Sequence, residues 1–137
     1  MIKVLAVDDC CIDLQILANT LKSEPLIELY STKDSNVAFN MAKEIKPDLI
    51  ILDVMMTETD GLTVREQLKN DEETMSIPII FLSSMSENEQ PSRFIGCYEF
   101  MQKPFNSEKL IKSIKDNRAL NAIDMAITEI NKMRCAN

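Results

Sequence analysis

The chain has 137 residues, with 15 Lys and Arg against 22 Asp and Glu, no histidine and a formal net charge of −7. That length suits one domain with a core of its own, and the acidic balance argues against a nucleic-acid-reading surface, which needs clustered Lys and Arg to displace counterions from phosphates. The lack of histidine excludes imidazole acid–base catalysis, imidazole metal ligands and a phosphohistidine donor role for this chain.

The amino-terminal apolar run is too short for a signal peptide and meets acids at Asp8 and Asp9. Elsewhere nothing approaches the roughly 20 apolar residues of a membrane span, so a soluble, cytoplasmic protein is expected, with no membrane partner. Cys10, Cys11, Cys97 and Cys135 lack the C-x-x-C spacing of zinc or redox sites and read as reduced thiols.

In chain order, Ile2–Val7 is a short apolar run that stops at Asp8-Asp9. Ile12, Ile16, Leu17 and Leu21 then repeat at helical spacing, and Glu24-Pro25 closes that helix. Leu26–Tyr30 reads as a second strand, with Glu28 hinting at an edge position. Asp34 or Ser35 can cap the next helix, whose expected buried residues are Val37, Ala38, Met41, Ala42 and Ile45, before Pro47 stops it. Leu49–Leu52 follows and stops at Asp53. Asp60-Gly61 turns into a helix using Leu62, Val64, Arg65 and Leu68, and an acidic loop leads through Pro78 to Ile79–Leu82, which stops at Ser83. Tyr98–Gln102 is the fifth strand, and Asn106 caps a last helix with Leu110, Ile111 and Ile114 facing inward.

Short apolar runs with no polar alternation suit strands buried on both faces of a parallel sheet. Five such units predict an α/β, doubly wound, flavodoxin-like sheet of order 2-1-3-4-5, because parallel neighbours need right-handed crossover helices. In these sheets function gathers beyond the carboxyl ends of the strands. Asp8, Asp9, Asp53, Ser83 and Lys103 are therefore expected at one edge, a set suited to a hard cation and a phosphoryl group.

Together, Val7-Asp8-Asp9, Leu52-Asp53-Val54-Met55-Met56 with Asp60-Gly61, Phe81-Leu82-Ser83-Ser84, and Gly96-Cys97-Tyr98-Glu99-Phe100-Met101-Gln102-Lys103-Pro104-Phe105 resemble a response-regulator receiver domain of two-component phosphorelays. The match spans about residues 2–117. Alone, Asp8 and Asp9 suit helix capping, Ser83 a loop serine, Phe100 a core aromatic and Lys103 a solvated charge; five elements in order carry the resemblance.

The resemblance implies a phosphorylation-dependent signalling switch rather than an enzyme, one that catalyses only its own phosphorylation and dephosphorylation. Asp53 would be the phosphoacceptor, charged by a histidine kinase or histidine phosphotransfer protein. Asp9 and Asp53 would bind Mg²⁺ directly, with Mn²⁺ or Ca²⁺ as substitutes, Asp8 mostly through water and Met55 through its carbonyl. Lys103 would pair with phosphoryl oxygens, and a cis Lys103–Pro104 peptide would hold it at the pocket mouth. Ser83 and Phe100 would form the switch that reshapes the face made by the helix after the fourth strand, the fifth strand and the last helix.

Departures from the family pattern are Thr57, in place of the usual proline, and a shortened segment after Ser83 carrying Pro91, which predicts a late helix start near Gln90-Pro91. Residues 1–117 read as the receiver and 118–137 as a helical extension or linker. In the extension Leu120, Ile123, Ile127 and Ile130 step at coiled-coil spacing, which leaves open a helix folded back on the domain, a frayed end, a homodimer seam or a lead to an output domain. Two other functions compete. A Mg²⁺-dependent phosphohydrolase with an aspartyl nucleophile wants a second acid where Met55 stands; the complete acid site argues against a phosphorylation-independent interaction module, and the shortage of aromatics and lack of a phosphate-cradling glycine loop argue against a flavin binder.

Overall fold

The computed structural model describes residues 1–54, 61–84 and 99–135. Within them the order is β1 (Ile2–Val7), α1 (Cys11–Leu21), β2 (Ile27–Thr32), α2 (Ser35–Ile45), β3 (Leu49–Asp53), α3 (Gly61–Lys69), β4 (Ile79–Ser83), β5 (Glu99–Gln102) and α4 (Ser107–Cys135). All four strand pairings are parallel, and the sheet order is β2-β1-β3-β4-β5. This is the doubly wound, flavodoxin-like arrangement expected from the apolar runs. The helix start near Gln90-Pro91 lies outside the described residues, as do Met55, Met56, Thr57, Asp60, Gly96, Cys97 and Tyr98.

Burial explains the pattern. Every residue of β3 and β4 is buried, which is why neither run alternates with polar residues. One apolar layer joins Val4, Ile51 and Leu82 of the sheet to Leu17 and Leu21 of α1 and Leu110 and Ile114 of α4. The opposite layer joins Leu5, Ile50 and Phe81 to Ala38 and Ala42 of α2 and Val64 and Leu68 of α3. The peripheral β2 has only Ile27 buried, in keeping with the edge position that Glu28 suggested.

Local rules set the ends. The Asp34 side chain accepts from the Asn36 N–H at 2.9 Å and caps α2, while Lys46 closes that helix in the left-handed region at φ 54°. The Asn106 side chain accepts from the Lys109 N–H at 2.9 Å and starts α4. Two helical faces differ from expectation. Ile12 and Ile16 are 67% and 49% exposed, and Val37 is 39% exposed, because α1 and α2 are rotated so that Leu17 with Leu21, and Ala38 with Ala42, meet the sheet. Along α4, Asn117 is the last buried position among the side chains described, and every later one described is exposed, including Ile127, Ile130 and Met133.

Gly61 ties α3 to the end of β3. Its N–H donates to the Val54 carbonyl at 3.1 Å, and a Cβ there would stand 2.5 Å from the Asp53 carbonyl oxygen and 3.2 Å from Val54 Cα. Gly61→Ala should therefore displace backbone and lower stability by about 1–3 kcal/mol, read as a lower urea midpoint; an unchanged midpoint would show that the helix start can yield freely.

Candidate functional site

The carboxyl ends of β1 and β3 bring Asp8, Asp9 and Asp53 together. One carboxylate oxygen from each lies within 4.8 Å of the others; Asp8 and Asp53 are buried and Asp9 is half-buried. Asp8 is held firmly: Oδ1 accepts the Cys10 N–H at 2.9 Å and Oδ2 accepts from Lys103 Nζ at 2.7 Å. The Cys10 side chain does not cap α1, so the first bond in that turn is made by Asp8.

Lys103 enters from the turn between β5 and α4. Its backbone N–H donates to the Ser83 carbonyl at 2.6 Å, and its peptide to Pro104 is cis, as the sequence led us to expect. The ammonium reaches Asp8 at 2.7 Å, Asp13 at 2.9 Å and Asp53 at 3.6 Å. The first two are hydrogen bonds, whereas the third is an ion pair beyond good hydrogen-bond length. Burial acts to lower the lysine pKa, but the bonds from Asp8 and Asp13 and the charges of Asp53 and Asp8 outweigh it and hold the pKa well above the ordinary lysine value. The group is charged throughout the neutral range.

Ser83 is fully buried at the end of β4, opposite Gln102 in the register, while Phe81 stands opposite Phe100. Alternation along a strand puts Phe81 and Ser83 on one sheet face, and the half-buried Phe100 packs against the core layer of that face. Ser83 and Phe100 are thus near neighbours in the sheet. The Met55 carbonyl lies outside the described residues. Asp13, in the first turn of α1, is a site residue that sequence reasoning missed; its only signal was an acid in the first turn of the helix that follows Asp8-Asp9.

Three carboxylates at this separation repel one another unless a cation sits among them. The Lys103 ammonium supplies part of that charge at Asp8 and Asp53. An all-oxygen set also matches the preference of Mg²⁺, which takes a few carboxylates and retains water. The residues fit a hard divalent cation. Asp8, Asp9 and Asp53 are the side chains that would hold it.

A family model of the response regulator receiver domain matches residues 4–115. The chain belongs to the response regulator receiver family. The receiver is 30% identical over 114 residues to the polar-differentiation response regulator DivK of Brucella anthropi, covering 82% of this chain and 92% of that protein. Among solved structures it is similar to chemotaxis protein CheY4 of Vibrio cholerae, with 30% identity, a TM-score of 0.74 and coverage of 85% of this chain and 98% of that one. It also shares its fold with the receiver domain of a Pseudomonas aeruginosa sensor histidine kinase, solved with magnesium in its active-site cleft, at 19% identity and a TM-score of 0.76, covering 85% of this chain and 97% of that one. Receivers are signalling domains of two-component systems. Among the described residues no helix is long and apolar enough to cross a membrane.

Removing the ammonium leaves Asp8 and Asp53 without this counter-charge. Lys103→Met should lower stability in EDTA by about 1–3 kcal/mol, less than for a sealed pair because the site opens to solvent. Millimolar Mg²⁺ should recover part of that deficit in urea titrations. A pKa raised in the folded state gives stability that is present below the unfolded lysine value, near pH ~10.4, and lost as pH rises through the folded value. The gap between wild type and variant should accordingly persist at pH 7 and narrow only at strongly alkaline pH.

Proposed function

We propose that this receiver is a phosphorylation-dependent switch whose phosphoacceptor is Asp53, charged by a histidine kinase or histidine phosphotransfer protein in the presence of Mg²⁺. The observation that carries this reading is the convergence of Asp8, Asp9 and Asp53 at the carboxyl edge of the sheet, with the Lys103 ammonium against Asp8 and Asp53. In the transfer, an Asp53 carboxylate oxygen forms a bond to phosphorus as the P–N bond of the donor's phosphohistidine breaks and the electron pair returns to the imidazole. When bound, Mg²⁺ supplies charge neutralisation for the acids and the phosphoryl oxygens. The protein groups orient and neutralise. Asp8 and Asp9 would hold the cation, Lys103 would meet phosphoryl oxygens as a point charge, and the burial of Asp53 limits its contact with water.

Ser83 and Phe100 are the switch in this reading. A Ser83 hydroxyl that moves to a phosphoryl oxygen vacates space on the face it shares with Phe81, and the Phe100 ring turns into it. The phosphoryl group shifts the population to the extent that it binds the inward state better. Residues 118–137 serve as an extension of the receiver, and the exposed Ile127 and Ile130 of α4 within it support a homodimer seam or a connection to an output.

Incubation with acetyl phosphate and Mg²⁺ should give a single phosphoryl adduct by intact mass, absent in Asp53→Asn and in EDTA. Steady release of phosphate over many turnovers would instead favour a phosphohydrolase. For the extension, Ile127→Lys with Ile130→Lys should abolish any dimer seen by sedimentation without changing the adduct yield; a wild-type monomer with and without the phosphoryl mimic would remove the seam.

A further inference from the structure

From the contacts of Lys103 we infer that Asp13 is a positioning residue which holds the ammonium away from Asp53 and competes with the phosphoryl group for it. This rests on the reading of Asp53 as phosphoacceptor. An ammonium has three N–H donors, and two of them are directed to Asp8 at 2.7 Å and Asp13 at 2.9 Å, on the α1 side of the site, while Asp53 stands 3.6 Å away. Lys103 is therefore drawn towards α1 rather than towards the carboxylate it is to serve. Asp8 also accepts the Cys10 N–H and belongs to the acid set that suits a cation. Asp13 stands apart from that set and touches the site through Lys103.

The geometry makes the competition one of charge and reach. The Asp13 side chain is 36% exposed and the Lys103 side chain 16%, so water can take over the Asp13 carboxylate when the lysine leaves, at modest cost. A phosphoryl group on Asp53 brings new anionic oxygens to the side from which the ammonium is now withdrawn. To meet them, Lys103 must weaken its bond to Asp13. Neutralising Asp13 removes the competing acceptor and one negative charge beside the phosphoryl group, and both effects favour the phosphorylated form. A metal-binding role for Asp13 would have the opposite sign, because losing a carboxylate ligand weakens cation binding and with it the phosphoryl state.

The test is beryllofluoride binding to the full chain in Mg²⁺, followed by fluorine NMR and calorimetry, with Mg²⁺ affinity measured separately. Asp13→Asn should bind the mimic roughly tenfold more tightly, the scale of one charge-assisted hydrogen bond discounted for solvent, with Mg²⁺ affinity no stronger than that of wild type. Asp13→Glu, which keeps the charge, should behave as wild type. In a Lys103→Met background the Asp13→Asn step should change affinity by less than about twofold, which a general structural effect of the substitution would not predict. Equal or weaker mimic binding by Asp13→Asn, while wild type binds through Asp53, would overturn the role of Asp13 and leave the phosphoacceptor reading intact. Failure of wild type to bind the mimic in an Asp53-dependent way would instead sink that reading, and this inference with it.

Discussion

A single ammonium, delivered from the turn after β5, makes it tolerable to gather acids at the ends of β1 and β3. Lys103 lies 95 residues from Asp8 in sequence and 2.7 Å from it in space. Two buried carboxylates and a half-buried third would otherwise oppose one another in a setting that screens poorly. The lysine is itself fixed by the backbone bond from its N–H to Ser83, so the charge balance depends on β4 and β5 being in register. Sheet and site are thus coupled: the parallel pairing brings the charges together, and the counter-charge lets the pairing end where it does.

The apolar layers make that convergence rigid. β3 is buried at every position, including Asp53, with α1 and α4 covering one face and α2 and α3 the other. Side chains that cannot reach water leave a strand little freedom to slide, since a shift of one residue would turn its whole pattern over. Gly61 adds a local clamp, bringing the first turn of α3 against the Asp53 carbonyl at a distance no other side chain permits. In the proposed reading, a phosphoacceptor on such a strand stays in place while Lys103, Ser83 and Phe100 adjust around it.

Much of this was legible in the chain itself. Apolar runs such as Leu49–Leu52 and Ile79–Leu82 marked the strands because burial on two faces removes alternation, and the acids and serine that end them marked the reactive edge. Helical faces were less legible. The spacing of Ile12, Ile16, Leu17 and Leu21 is compatible with more than one rotation of α1, and only packing against Val4 and Ile51 chooses Leu17 and Leu21 as the inner pair. Val37 reads as core by its chemistry, yet the small Ala38 and Ala42 sit against the sheet because they let α2 approach closely. Asp13 looked like an ordinary first-turn acid, favourable there for the helix dipole, and nothing local tied it to a lysine 90 residues away.

By itself the sequence determined the strands and the acids that end them, because hydrophobic period and end-of-strand polarity are local consequences of burial, while the receiver fold, its strand order and the place of Lys103 were legible through the family resemblance. Tertiary structure alone decided how the charge of Lys103 is shared among Asp8, Asp13 and Asp53, and which faces of α1 and α2 are left to solvent. Those outcomes depend on distances across the sheet, which a linear pattern does not contain.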